Sequence, residues 1–112
     1  MTVTPHRAFA DILLCTGGDA AATEAFREGR ITVQDAASAL AAFVADPKPG
    51  TAVLDCCAAP GGKSFAMAEK MQGKGSLTSC DIYEHKLKRI QEGAARLGLP
   101  NIRTELQDAF AF

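Results

Sequence analysis

Apolar residues beyond residue 31 recur first at helical spacing and then in short runs, which predicts helices and strands in alternation. The stretch 33–45 has the helical period, with apolar residues at i, i+3, i+4 and i+7. These residues are Ala37, Leu40, Ala41 and Val44. Thr32 and Asp35 form a capping-box-like pair at its start, and the prolines of "DPKPG" cannot continue a helix. The pattern predicts an amphipathic helix over 33–45.

The segment that follows is predicted to alternate strand, helix, strand, helix, strand. The strands are assigned to "TAVLDCCA", "SLTSCDI" and "NIRTELQD", and the helices to about 63–71 and 84–97. The first strand is apolar apart from Asp55, which is typical of a strand covered on both faces. Met67 and Met71 share one side of the first helix and are expected in the core. Right-handed crossovers then give a parallel sheet of spatial order 3-2-1, one half of a doubly wound α/β fold.

The N-terminal part is less regular. Residues 1–10 are predicted to be a loose lead-in, and "GRITV" at 29–33 is β-prone. We therefore divide the chain into a lead-in segment, 1–30, and an α/β part, 31–112.

Length and composition place the chain among ordinary globular proteins. It has 112 residues, 47% of them hydrophobic and 22% charged, enough for at most one domain. Its apolar runs fall short of the roughly 18 residues of a membrane helix, and its N-terminus lacks the pattern of a signal peptide. We expect a cytoplasmic protein with no membrane partner.

The cysteines and histidines predict no metal site. The four cysteines are Cys15, Cys56, Cys57 and Cys80. They form no C-x-x-C pair, and both His6 and His85 lie far from any cysteine pair in the sequence. Free, mostly buried thiols in a reducing compartment are expected.

Charge is divided unevenly along the chain. The net charge is −1, made up of −3 over residues 1–62 and +2 over 63–112. The basic residues concerned include Lys70, Lys74, Lys86, Lys88, Arg89, Arg96 and Arg103. Such a set is typical of a solvated helix surface and also permits an RNA-facing side.

The stretch "VLDCCAAPGGKS", 53–64, has the pattern of a buried strand that breaks into a loop and opens a helix. Gly61 and Gly62 allow the backbone to approach a ligand closely. The phosphate-loop pattern G-x-x-x-x-G-K-[ST] needs a glycine at position 57, where Cys57 stands. Two interpretations are open: a phosphate loop that lacks one glycine, or a loop for another adenosine cofactor.

Two downstream carboxylates favour the adenosine cofactor. Asp81 ends the second predicted strand, where a carboxylate accepts hydrogen bonds from both ribose hydroxyls. Asp108 ends the third strand and is placed to reach an adenine edge. A phosphate loop has no use for an acid at the first of these positions.

Several motifs resemble bacterial ribosomal RNA small-subunit methyltransferase B, of the Sun-type RNA cytosine-5 methyltransferases. The family pattern V-Q-D-x-A-S is matched at Val33–Ser38, P-x-P-G at Pro47–Gly50, and V-L-D-x-C-A-A-P-G-G-K at Val53–Lys63. "DIYEHKLKRIQEGAARLGL" extends the resemblance, which covers about residues 25–109. The resemblance implies a partial Rossmann-like class I S-adenosylmethionine-dependent methyltransferase fold, a β-α-β-α-β half with an N-terminal helix.

The resemblance also implies a cofactor site. A cradle for the methionine part of S-adenosylmethionine would comprise Cys57, Ala58, Ala59, Pro60, Gly61, Gly62 and Lys63. Asp81 would bind the ribose and Asp108 the adenine side. Residues 31–112 would then be the S-adenosylmethionine-binding half of a methyltransferase domain.

By the same resemblance, the parent enzyme methylates carbon 5 of cytosine in 16S ribosomal RNA. Family members place two cysteines in D-A-P-C and T-C-S segments, and neither segment occurs in this sequence. Cys56 and Cys57 belong to the cofactor loop, so no catalytic residue is assigned, and the chain alone is expected to be inactive. The alternatives are a phosphate-loop-like nucleotide-binding module and a non-catalytic RNA-binding protein.

A last expectation concerns the first strand of the predicted sheet. Its outer edge has no partner within the predicted half-fold. We expect residues 1–30, neighbouring molecules or a second copy of the chain to cover it, the last by self-association.

Overall fold

A computed structural model describes residues 1–7, 9, 11–56, 58 and 61–108. The chain forms two compact units, Met1–Val33 and Gln34–Phe112. We call them the N-terminal unit and the α/β unit. No described helix has the length and apolar character needed to cross a membrane.

The N-terminal unit contains a two-stranded antiparallel sheet and two short helical turns. Strand β1, Thr2–Pro5, pairs with β2, Leu13–Thr16. A 3-10 turn, Ala20–Ala22, and helix α1, Glu24–Arg27, follow. Side chains cap both turns: Asp19 accepts a hydrogen bond from the Ala21 amide at 3.0 Å, and Thr23 one from the Phe26 amide at 3.2 Å.

Two expectations for this region and one for the cysteines of the chain differ from the structure. Residues 1–10 are not a loose lead-in, because β1 forms there and its backbone pairs with β2. The β-prone stretch 29–33 forms no strand, because β propensity alone does not determine whether a strand forms. Cys15 is exposed and Cys56 half-buried, so of the described cysteines only Cys80 is buried.

The α/β unit is built on a parallel three-stranded sheet. Its strands are β3, Ala52–Asp55, β4, Ser76–Asp81, and β5, Ile102–Leu106, in the spatial order β3-β4-β5. Helix α3, Gly62–Lys70, connects β3 to β4, and α4, Glu84–Leu97, connects β4 to β5. The predicted β-α-β-α-β order and sheet order are confirmed.

The core lies between these helices and one face of the sheet. Met71 and Leu77 are fully buried in a cluster with Met67 and Ala68, so the predicted core position of both methionines is confirmed. A second cluster joins Phe65 of α3 to α4. Its α4 members are Leu87, Ile90 and Ala94. Apolar burial of this kind, at about 25 cal/mol per Å², is the main stabilising contribution to such a unit.

Strand β3 is not covered on both faces as predicted. Its side chains alternate, with Val53 half-buried on the α3 side and Leu54 50% exposed on the opposite side. An apolar run shows only that both faces of a strand could be buried. Whether they are buried depends on which other elements pack against each face. Within the described chain, β3 is also an outer strand of the sheet.

Helix α2, Ala36–Ala45, begins later than predicted and turns a different face inward. Asp35 is itself the N-cap and accepts a hydrogen bond from the Ser38 amide at 2.8 Å, so it is not the third helical residue of a capping box that begins at Thr32. An amphipathic helix ordinarily turns its apolar stripe to the core, but Leu40 is 52% and Val44 74% exposed. Ala37 and Ala41 of that stripe are exposed as well.

Among the α2 residues whose burial is described, Ala39 and Ala42 are buried, and Ala42 joins the cluster formed by α3 and β4. Alanine side chains let two helix backbones approach closely, whereas leucine and valine would hold them apart. Packing of α2 against α3 therefore selects the small-residue face, and the larger apolar residues are left outside.

Candidate cofactor-binding site

The carboxyl ends of the three parallel strands meet at one edge of the sheet, where ligands bind in open α/β folds. Strand β3 ends at Asp55 and β4 at Asp81. Beyond β5, the Gln107 amide donates to the Asp81 carbonyl oxygen at 3.0 Å. This bond keeps the chain beside β4 as it reaches Asp108. The two sequence-predicted carboxylates, Asp81 and Asp108, therefore follow neighbouring strands at the same edge.

The loop from β3 to α3 is fastened to the end of β4. The Ala58 amide donates to the Cys80 carbonyl oxygen at 3.0 Å, and the Gly61 amide donates to the Ala58 carbonyl oxygen at 2.6 Å. Gly61 has φ +107°, a conformation that favours glycine. A Cβ atom there would lie 2.7 Å from Cζ of Phe65. A glycine is therefore required where the loop enters the helix.

The first turn of α3 presents backbone amides toward this edge. Gly61 caps the helix without a side-chain hydrogen bond. The first N–H groups of a helix have no partner inside it, and together with the helix dipole they favour an anionic group. Lys63 lies in this turn and is exposed. The turn is thus suited to a carboxylate or phosphate.

A hydrogen-bonded chain of three side chains fixes the same turn from below. Ser64 Oγ donates to Asp55 Oδ2 at 2.8 Å and lies 2.7 Å from Ser79 Oγ. A hydroxyl has one hydrogen, and the ionised carboxylate can only accept. Ser79 therefore donates to Ser64, and Ser64 donates to Asp55. Both serines are fully buried. The two hydrogen bonds join β4, through Ser79, to α3, through Ser64, and to the end of β3, at Asp55.

Sequence reasoning missed this chain. Asp55 was interpreted only as a polar interruption in an apolar strand, and Ser64 as the end of a loop motif. The sequence does place a carboxylate at the end of a predicted strand and a hydroxyl in the first turn of the next helix. Because buried polar groups need hydrogen-bond partners, this pair of positions could have predicted the contact.

Asp81 is half-buried at the end of β4, and its Oδ1 accepts a hydrogen bond from the Tyr83 amide at 3.1 Å. Asp side chains commonly bind the backbone two residues on in this way. The bond orients the carboxylate at the sheet edge and leaves capacity on its oxygens to accept hydroxyl hydrogen bonds. The predicted ribose-binding role of Asp81 stays a prediction.

A residue that precedes α2 also reaches the α3 turn. Gln34 Nε2 donates to the Gly62 carbonyl oxygen at 2.7 Å, a contact between residues 28 positions apart. Next to it, the pKa of Asp35 is lowered, chiefly by the hydrogen bond from the Ser38 amide, and the positive charge of Lys63 lowers it further. Gln34 lies in the V-Q-D-x-A-S motif at Val33–Ser38, which by itself predicts no role for its side chain.

The buried cysteine at this edge is unsuited to nucleophilic attack. Burial raises the pKa of the Cys80 thiol, and the charges of Glu105 and Asp55 act in the same direction. Cys80 therefore stays protonated at neutral pH. Among the described residues, no group of three His, Cys, Asp or Glu side chains could hold a metal ion.

Six of the nine predicted site residues belong to the described structure: Ala58, Gly61, Gly62, Lys63, Asp81 and Asp108. The other three lie outside the described residues: Cys57, Ala59 and Pro60. The described six occupy the loop before α3, its first turn, the end of β4 and the segment just beyond β5. Asp108 does not end the third strand as predicted, because β5 stops at Leu106, two residues earlier.

Comparison with known proteins decides the family. Residues 42–112, more than half of the chain, match the family model described as 16S rRNA methyltransferase RsmB/F. The chain belongs to the RsmB/F methyltransferase family. The resemblance drawn from the sequence motifs is thereby confirmed.

Individual relatives agree with this assignment. "Probable ribosomal RNA small subunit methyltransferase B" of Bacillus subtilis is 51% identical over 92 residues, 82% of this chain and 21% of that protein. The crystal structure of PH0851 superposes with a TM-score of 0.90 at 37% identity, covering 96% of this chain and 25% of that one. NSun6 from Pyrococcus horikoshii, solved with SFG, has a TM-score of 0.78 at 30% identity, covering 82% and 24%.

This member of the RsmB/F family therefore spans about a fifth of the length of the curated relative. Its parallel sheet with α3 and α4 is part of the Rossmann-like fold of S-adenosylmethionine-dependent methyltransferases, as predicted.

Proposed function

We propose that this chain supplies the S-adenosylmethionine-binding half of a methyltransferase that acts on carbon 5 of cytosine in 16S ribosomal RNA. One observation carries the proposal: α3 begins after the carboxyl end of β3, and Asp81 stands at the carboxyl end of the neighbouring parallel strand β4, so both lie at the same edge of the sheet. An anion-binding turn beside a hydroxyl-accepting carboxylate is the combination that an amino-acid nucleoside requires. Membership of the RsmB/F family supports the choice of ligand.

Each part of the site has a proposed role. The first-turn amides of α3 and the Lys63 ammonium would bind the methionine carboxylate, Asp81 the ribose hydroxyls and Asp108 the adenine side. Cys57, Ala59 and Pro60 would complete the cradle with Ala58. When bound, S-adenosylmethionine supplies an electrophilic methyl group. The residues of this chain bind and orient that cofactor.

The chain alone is proposed to transfer no methyl group. Activation of cytosine at carbon 6 requires a thiolate held opposite the base, within roughly 3–3.5 Å of the reacting carbon. Cys80 is buried and protonated, and Cys56 lies in the loop proposed to hold the cofactor. Incubation with tritiated S-adenosylmethionine and unmodified 16S RNA should leave the RNA unlabelled. Label at carbon 5 that is lost in Cys56→Ser would place the nucleophile here.

Parallel calorimetric titrations with S-adenosylhomocysteine and ATP test the ligand assignment. We expect binding of S-adenosylhomocysteine, weakened by Asp81→Ala and by Lys63→Ala. Lys74→Ala, at another exposed lysine in the turn after α3, is the matched control. Tighter binding of ATP, abolished by Lys63→Ala, would instead establish a phosphate-binding module. Salt-dependent RNA binding without cofactor affinity would establish a non-catalytic RNA-binding protein.

A further inference from the structure

The side-chain amide of Gln34 contacts the cofactor cradle from outside the loop motif. Its Nε2 lies 2.7 Å from the carbonyl oxygen of Gly62, the first residue of α3. Ser38 lies beside the same glycine, since a Cβ atom built on Gly62 would be 3.8 Å from Ser38 Oγ. The contact therefore joins the start of α2 to the start of α3.

Gln34 directly precedes the capped start of α2. The next residue, Asp35, caps α2 and accepts hydrogen bonds from the Ser38 amide at 2.8 Å and the Ser38 hydroxyl at 3.2 Å. Helix α2 is in turn packed on α3 through Ala42. A bond from this position can restrain the backbone at two consecutive glycines, which have no side chains of their own to fix them.

The consequence for the ligand follows from peptide planarity. The Gly62 carbonyl and the Lys63 N–H belong to one rigid planar unit and point in opposite directions. Holding the carbonyl oxygen therefore also aims the Lys63 N–H, one of the unsatisfied donors at the helix start. A hydrogen bond to the carbonyl further polarises the peptide and strengthens its N–H as a donor.

We propose that Gln34 is a positioning residue for the cofactor: its amide fixes the Gly62–Lys63 peptide so that the Lys63 N–H donates to the anionic group of the ligand. The inference rests on the proposed function of the α3 turn. It adds a residue that lies outside the loop and both carboxylates, and that touches no reacting atom.

Calorimetric titration of the 112-residue chain with S-adenosylhomocysteine tests the proposal. Gln34→Ala should weaken binding roughly twofold to tenfold, the range for one lost hydrogen bond. Gln91→Ala is the matched control, because Gln91 Nε2 of α4 makes an exposed bond of the same length, 2.7 Å, to Thr104 Oγ1 of β5. The control should leave the affinity unchanged. Circular dichroism establishes that each variant is folded.

Gln34→Glu separates positioning from a loss of packing. At about pH 7.5 the introduced carboxylate cannot donate and repels the Gly62 carbonyl oxygen, so binding should be weaker than in Gln34→Ala. Toward pH 5 the carboxyl group, whose ordinary pKa is about 4.3, is increasingly protonated beside that oxygen and can donate again. Affinity should then recover relative to the wild type at the same pH.

Nitrogen-15 NMR measures the chemical shift of the Lys63 backbone amide, the donor that Gln34 is proposed to orient. The Lys63 amide resonance should shift on ligand addition in the wild type and in Gln91→Ala, and should shift much less in Gln34→Ala. Suppose that the wild type binds S-adenosylhomocysteine, and that Gln34→Ala has the same affinity and the same shift of the Lys63 amide resonance. That result would overturn the role of Gln34 and leave the proposed function intact. Failure of the wild-type chain to bind S-adenosylhomocysteine would overturn the proposed function, and the inference with it.

Discussion

The buried hydroxyls of Ser64 and Ser79 have unequal roles because their hydrogen bonds run in one direction. Ser79→Ala removes a donor but leaves the bond from Ser64 to Asp55 in place. Ser64→Ala breaks both bonds and strands the buried Ser79 hydroxyl. We expect losses in unfolding free energy of about 1 kcal/mol for Ser79→Ala and about 2–3 kcal/mol for Ser64→Ala. Urea unfolding followed by circular dichroism measures both; equal losses would contradict the assigned direction.

The adjacent glycines 61 and 62 should respond differently to alanine. At Gly61 the backbone has φ +107° and a Cβ atom would meet Phe65 at 2.7 Å, so Gly61→Ala should cost about 1–3 kcal/mol of stability. At Gly62 the nearest atoms to an added Cβ are 3.7–3.8 Å away, an ordinary contact. Gly62→Ala should therefore keep or slightly raise the thermal midpoint.

Ligand titration of the Gly62→Ala variant distinguishes an effect of the substitution on stability from an effect on ligand binding. If the glycine admits the cofactor close to the backbone, the variant should be stable and yet bind S-adenosylhomocysteine more weakly. A stable variant with full affinity would show that no ligand atom approaches this position.

At the scale of an element, the start of α2 should be sensitive to acid. The pKa of Asp35 is lowered by its hydrogen bond from the Ser38 amide. A carboxyl group with a depressed folded-state pKa contributes stability above its unfolded-state pKa, and this contribution is lost as the pH falls through the folded-state value. Wild-type stability should therefore decline in that acidic range.

Asp35→Asn is the control for this pH dependence. Asparagine is an equally good N-cap but does not titrate. The difference in unfolding free energy between the wild type and the variant should shrink or reverse as the pH is lowered. A constant difference at every pH would show that the ionised cap does not contribute.

The elements differ in how far the sequence determines them. Helix α4 is confirmed at Glu84–Leu97, because its apolar period is strong and Gly98, with φ +68°, stops it. For helix α2 the sequence predicts the helix and its end at residue 45, but not which face is buried, since alanine is apolar enough to occur on either face. Only the space beside α3 selects Ala39 and Ala42 over Leu40.

The candidate site shows the same division. Asp81 is predictable because a strand end and a following turn are local features of the sequence. Gln34 is not, because its partner is 28 positions away and the bond exists only once α2 has packed on α3. The assignment of the six described cradle and carboxylate residues to ligand atoms stays a prediction until binding is measured.

For the whole molecule, the uncovered side of β3 predicts self-association. Leu54 is half exposed on an outer strand, and exposed apolar strands at a sheet edge invite pairing with other chains. We expect the sedimentation coefficient to rise with protein concentration. Leu54→Lys should reduce that dependence with little change in thermal stability. Val44→Lys, at the more exposed apolar position on α2, is the control and should not reduce it.

The same parallel sheet has a consequence for how the chain reaches its native state. Each strand pairing in the α/β unit joins residues about 25 positions apart, such as Val53 with Leu77 and Leu77 with Ile102. Closing such segments costs chain entropy before any strand contact forms. The connecting helix must be nearly in place before its two strands meet. During synthesis from the N-terminus, β3 is made before β4, its partner in the sheet. Of the three strands of the parallel sheet, β3 therefore waits longest for a partner, with its apolar side chains exposed to solvent.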